Sequence, residues 1–185
     1  QALVLAHTRE LALQINNVFT QIGSYLKPTI NVSIKGLSIN DNINELKANP
    51  HIVIGTPGRV LDMINKRGLN VRTLKMLVMD EADEMLSLGF IDQVKDIFRL
   101  MPEDIQVGLF SATMPDEFFE ITKKFMRDPV RILVKSEQLT LEGINQYYID
   151  VEKNQYKFET LCELYSILTI NQSIIYCNNK KVVDD

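Results

Sequence analysis

Leu74-Lys75-Met76-Leu77-Val78-Met79-Asp80-Glu81-Ala82-Asp83-Glu84-Met85-Leu86 decides the reading of the chain. The apolar run Met76 to Met79 stops abruptly at Asp80, Glu81 and Asp83. A short apolar run bounded in this way reads as a strand buried on both faces, as strands of parallel sheets are. Carboxylates just past its carboxyl end would fall in the crevice where open α/β sheets bind ligands. Such a cluster suits a hard cation such as magnesium, whose retained waters reach phosphates. The same acids at a helix start also answer its free N–H groups and its dipole, so structural and chemical readings both stand here.

Working outward, strand and helix alternate. Ala2 to Ala6 reads as a strand, and Leu11, Ile15, Val18, Phe19 and Ile22 mark the helix after it. Ile30, Val32 and Ile34 alternate as a second strand, followed by Lys35-Gly36-Leu37-Ser38 and a polar helix with Ile39, Ile43 and Leu46. Ile52 to Gly55 is a third strand, leading through Thr56-Pro57-Gly58-Arg59 into a helix with Val60, Leu61 and Ile64. After the acids, Met85 to Met101 gives an interrupted helical pattern, and Gln106 to Phe110 is a strand ending in Ser111-Ala112-Thr113. Pro115 suits the first turn of a helix bearing Phe118, Ile121 and Phe125, and Val130 to Val134 reads as one more strand. Connections this short imply right-handed crossovers onto a parallel sheet. The strands beginning at Ala2, Ile52, Met76 and Gln106 each end in hydroxyls, acids or arginine, so those clusters should share one sheet edge, as a rim that handles a ligand or phosphate.

Residues 135–143 lack periodicity and read as a linker between a first domain (1–134) and a second (144–185). The second opens with a strand over Gln146 to Val151. A helix with Phe158, Leu161, Cys162, Tyr165 and Leu168 follows, then a strand over Ile174 to Cys177. Both ends of the chain look like cuts through a longer protein.

Of the 185 residues, 45% are hydrophobic and 24% charged, an ordinary globular composition. No apolar run approaches membrane-spanning length. Cys162 and Cys177, set among apolar neighbours, read as core thiols of a reducing compartment, and His7 and His51 are too scattered for a zinc site. A net charge of −4 offers no global footprint for nucleic acid, so any such contact must be local.

Taken in order, the clusters resemble the DEAD-box RNA helicases. Asp80-Glu81-Ala82-Asp83 is similar to the family's name-giving box, and Ser111-Ala112-Thr113 to a later one. Thr8-Arg9-Glu10-Leu11-Ala12, Gly36, and Thr56-Pro57-Gly58-Arg59 resemble the boxes that contact RNA, and Ile174 to Asn178 resembles the opening of the second RecA-like domain. Asp83 to Leu86, Asp128 to Val134 and Leu139 to Ile144 look like the translation initiation factor 4A group and its exon-junction paralogue.

The resemblance implies a RecA-like parallel sheet flanked by helices, most of a first domain, with the start of a second RecA-like α/β domain. It implies an ATP-dependent RNA helicase using ATP and magnesium, located in cytoplasm or nucleus. Asp80 would hold magnesium through water and Glu81 would deprotonate the attacking water. Asp83 would pair with Ser111 and Thr113, coupling nucleotide state to closure. Thr8, Arg9, Lys35, Gly36, Thr56, Pro57, Gly58 and Arg59 would contact single-stranded RNA through its backbone. A HEAT-repeat scaffold of translation initiation or of the exon junction complex would be a protein partner. Three positions depart from the pattern: His7 stands for proline, Lys35 for the first glycine of a pair, and Leu37 for threonine. No Gly-Lys pair occurs, so the phosphate-cradling P-loop is missing, which fits a truncated chain. A nucleotide-gated clamp without turnover and an unrelated magnesium-dependent phosphohydrolase are the other readings.

Overall fold

A computed structural model describes residues 1–113, 116–133 and 143–184. The chain divides into two compact units, Gln1–Arg131 and Ile132–Asp185.

The first unit is built on a five-stranded sheet. Its strands are β1 (Ala2–Ala6), β2 (Ile30–Ser33), β3 (Ile52–Gly55), β4 (Met76–Asp80) and β5 (Gln106–Leu109), in the order β2-β3-β1-β4-β5. Every neighbouring pair is parallel. Side chains of a strand point alternately to its two faces, and here both faces are apolar. Leu3, Leu5, Val53, Leu77 and Met79 enter one core, while Val4, Ala6, Ile54 and the partly buried Val78 enter the other.

Helices cover both faces. Helix α1 (Arg9–Ile22) lays Leu11, Ala12, Ile15 and Phe19 on the second core. The first core receives Leu46 of α2 (Ile39–Lys47), Val60 and Met63 of α3 (Pro57–Asn65), and Met85 of α4 (Ala82–Ser87). It also receives Val94, Ile97 and Phe98 of α5 (Ile91–Leu100). The interrupted helical pattern after the acids is thus two helices, parted at Gly89, whose φ of 76° glycine adopts freely. Helix α6 (Asp116–Phe125) stacks Phe125 on Phe98 with ring centroids 4.7 Å apart.

Gly55 lets two strand ends approach. A Cβ there would lie 2.3 Å from the Ser33 carbonyl oxygen and 2.7 Å from Val60 Cγ2.

Three expected strands do not form. Residues 130–133 carry no ladder, and Val134 lies outside the described residues. A cavity of about 630 Å³ lies between Met126–Val130 and the first half of β5, and Val130, which lines it, is exposed. The outer edge of β5 therefore has no partner strand among the described residues.

In the second unit, Gln146–Val151 and Ile174–Cys177 are irregular. The helix between them is present as α7 (Lys157–Ile167), and α8 (Lys180–Asp184) closes the unit. A strand is stabilised by a neighbour, and neither segment finds one among the described residues, so the start of a second RecA-like sheet is not formed. Cys162 and Cys177 are exposed, not core thiols, because the expected second core is not assembled around them. Pro115 and residues 135–142 of the expected linker lie outside the described residues. No helix of the described residues is long and apolar enough to cross a membrane.

Candidate functional site

Because the sheet is parallel, the carboxyl ends of all five strands meet at one edge. Register sets the neighbours: Ala6 lies opposite Asp80, and Leu5 opposite both Gly55 and Met79. The segments following β1, β2, β3, β4 and β5 therefore form one rim.

One half of this rim is made of hydroxyls, glycines and guanidinium groups. Thr8 caps α1, its Oγ1 accepting from Leu11 N at 3.2 Å, which leaves its own O–H free to donate. Thr56 caps α3 with no side-chain bond to the helix. Gly58 follows it, with open space where a Cβ would stand. Arg59 donates from both terminal nitrogens to the Leu37 carbonyl oxygen at 3.1 Å each. Arg9 Nη1 stands 3.0 Å from where a Cβ on Gly36 would be, and Gly36 has a φ of 100°. The two arginines thus converge on the loop Lys35-Gly36-Leu37. Lys35 is exposed. Since Arg59 grips a main-chain oxygen, the side chain at Leu37 is not what forms that bond.

Pro57 is buried at the first position of α3, where its fixed φ suits the helix start. It shapes the turn that presents Thr56 and Gly58.

The other half of the rim is acidic. Asp80 Oδ1 accepts from Glu81 N at 3.0 Å, and its Oδ2 has no partner among the described residues. Glu81 sits in the left-handed region with φ 49°, a conformation that costs a non-glycine residue about 1–2 kcal/mol. Its side chain is half exposed, with Oε2 lying 3.2 Å from Nδ1 of His7. The N–H of Ala82 donates to the Phe110 carbonyl at 3.1 Å, fastening the start of α4 to the end of β5.

Asp83 is held from several sides. Its N–H donates to Ser111 Oγ at 3.1 Å. Its Oδ2 accepts from Thr113 N at 3.0 Å and Thr113 Oγ1 at 2.7 Å, and its Oδ1 from Glu84 N at 3.2 Å. Burial alone would raise the pKa of this carboxyl. The hydroxyls of Thr113 and Ser111 and the N–H groups of Thr113 and Glu84 outweigh it, holding the group below the ordinary carboxylate value.

A family model described as DEAD/DEAH box helicase matches residues 1–121, a span that includes both halves of the rim. The chain belongs to this family. Over 184 residues it is 55% identical to a protein of Candida albicans named ATP-dependent RNA helicase eIF4A. It is 53% identical to a rice protein named eukaryotic initiation factor 4A-III homolog B. Each alignment covers all of this chain and 46% of the relative, so the chain spans about half the length of the curated relatives it matches. The crystal structure of a DEAD box protein from Methanococcus jannaschii superposes with a TM-score of 0.71 at 40% identity. That match covers 89% of this chain and 44% of the other. The sheet and its helices are therefore the RecA-like domain of a DEAD-box protein.

Within that frame, the DEAD box is Asp80 to Asp83. Among the described residues no group of three or more histidine, cysteine, aspartate or glutamate side chains is placed to hold a metal ion. Asp80 with one free oxygen does fit magnesium, which demands few protein ligands and keeps several waters. Ile174 to Asn178, expected to open a second domain, lie exposed on the second unit.

Three features of the rim lay beyond sequence reasoning: the His7–Glu81 contact, the Arg59 grip on Leu37, and the left-handed backbone at Glu81. The first two depend on strand order, which no local pattern encodes. The third had a faint signal, a sharp change from strand to helix within two residues.

Proposed function

We propose that the complete protein containing this chain is an ATP-dependent RNA helicase, and that this rim is where nucleotide and RNA meet. The observation that carries the reading is the bonding of Asp83 to both Ser111 and Thr113 beside two further acids, on the edge that also presents Thr8, Gly36, Thr56 and Gly58. Glu81 would accept the proton of the water that attacks the γ-phosphate. Asp80 would hold magnesium through water; when bound, the ion supplies charge neutralisation to the phosphates. Asp83, fastened to the end of β5, would transmit nucleotide state to the rest of the rim.

On the RNA side, the hydroxyls of Thr8 and Thr56 and the open N–H at Gly58 suit phosphate and sugar contacts that position a strand without reading its bases. Arg9 and Arg59 would shape the loop carrying Lys35 and Gly36, so that a phosphate passes the lysine. Local contacts of this kind are compatible with a net charge of −4. As partner we infer a HEAT-repeat scaffold of translation initiation or of the exon junction complex, and as location cytoplasm or nucleus; two of the relatives carry the name eukaryotic initiation factor 4A.

The test is Glu81→Gln in the complete protein. The amide keeps the shape of the side chain and removes the base, so RNA-stimulated ATP turnover should fall at least a hundredfold while nucleotide-dependent RNA binding persists. Steady-state turnover near that of the unaltered protein would refute the reading; loss of RNA binding together with turnover would assign Glu81 to binding instead.

A further inference from the structure

One contact at the rim is used by none of these roles. In the parallel register Ala6 lies opposite Asp80, so the residues that follow, His7 and Glu81, are neighbours across the strand ends. His7 Nδ1 is 3.2 Å from Glu81 Oε2. The imidazole is only 14% exposed, whereas the glutamate side chain is 53% exposed. Nδ1 itself is sealed from solvent and makes no hydrogen bond, since Oε2 lies near it but off the line a ring N–H would take. Burying such a nitrogen unpaired is unfavourable, and a small swing of the freer glutamate would complete the bond.

Glu81 has no other side-chain partner among the described residues. A long, half-exposed carboxylate without an anchor samples many rotamers, and a base misplaced by an ångström loses much of its effect. The left-handed backbone sets the direction of its Cβ but not the position of its oxygens. His7 is rigid where Glu81 is loose: the ring follows directly on β1, whose Leu3 to Ala6 are buried. The DEAD-box pattern has proline at this position, which offers no polar side-chain atom, so the contact is a property of this chain.

We propose that His7 is a positioning residue for Glu81, fastening one carboxylate oxygen and leaving the other to take the proton from the attacking water. This rests on the reading of Glu81 as the base.

Two measurements on the complete protein test it. In steady-state turnover with saturating RNA, His7→Ala should lower kcat about tenfold, with KM for ATP and RNA affinity unchanged. His7→Asn, whose amide nitrogen can stand near the place of Nδ1, should recover to within about threefold of the original rate. In nucleotide-free protein labelled with ¹⁵N-histidine, Glu81→Gln should shift the His7 ring resonances. Those of His51, whose Nδ1 is bonded to Thr29, should stay in place. An unchanged or increased kcat in His7→Ala would overturn the proposal, as would a rate in His7→Asn no better than in His7→Ala, or a His7 resonance indifferent to residue 81. Glu81→Gln turnover is read separately: if it stays active, the base assignment fails, and if it is dead while His7→Ala is not, only the positioning role fails.

Discussion

Asp83 joins the folded state to proton concentration. Its carboxyl titrates below the ordinary value in the folded protein, so unfolding is accompanied by proton uptake in acid. The stability it contributes is present above the unfolded aspartate pKa of about 3.9 and is lost as pH falls through the lower folded value. Asp83→Asn should therefore lower stability at neutral pH, by no more than about 1 kcal/mol for a pair this open to water. The gap to the unaltered protein should close below about pH 4, as urea titrations from pH 3 to 7 would record. Glu81 presents the opposite trade. Glycine accepts its left-handed φ without strain, so in the complete protein Glu81→Gly should raise stability by about 1 kcal/mol while abolishing the proposed turnover, measured by thermal unfolding and ATPase assay together. The acids and hydroxyls could be read from sequence because their chemistry is carried by the side chain itself. His7 could not, because its meaning depends on which strand lies beside β1.

Elements were legible wherever burial on two faces wrote itself into composition. Val-Leu in β1, Ile-Val-Ile in β3 and Leu-Val-Met in β4 leave little room for another reading. Val130 to Val134, Gln146 to Val151 and Ile174 to Cys177 carry similar residues, yet 130–133 and the other two segments stay irregular. An apolar stretch states what a segment would do given a neighbour; it does not supply the neighbour. Tyr147 and Tyr148, about nine-tenths exposed, mark that shortfall. Gly55 makes the reverse point, since a residue easily taken for filler governs an element. Gly55→Ala would press a methyl against Ser33 O and Val60, both in the core, and should destabilise the first unit by about 1–3 kcal/mol, read as a lower denaturation midpoint with an unchanged slope.

At the scale of the molecule, cohesion is uneven. Among the described residues, the buried hydrophobic ones all fall between Leu3 and Ile105, and the second unit includes none. Hydrogen–deuterium exchange should therefore show amides of β1 and β4 protected longest, with those of 144–151 and 170–178 exchanging fastest; equal protection in both units would contradict this distribution. Periodicity in the sequence lapses after residue 134, and the chain divides into its two units between Arg131 and Ile132; the helix of the second unit is also less amphipathic than those of the first. The outer margin of β5, without a partner strand among the described residues, carries one last implication. Gln106 to Leu109 has no lysine or proline to blunt it, so its outward amides and carbonyls act as a mould for whatever extended strand arrives first. At high concentration a second molecule could offer such a strand, so solubility depends on what covers that seam.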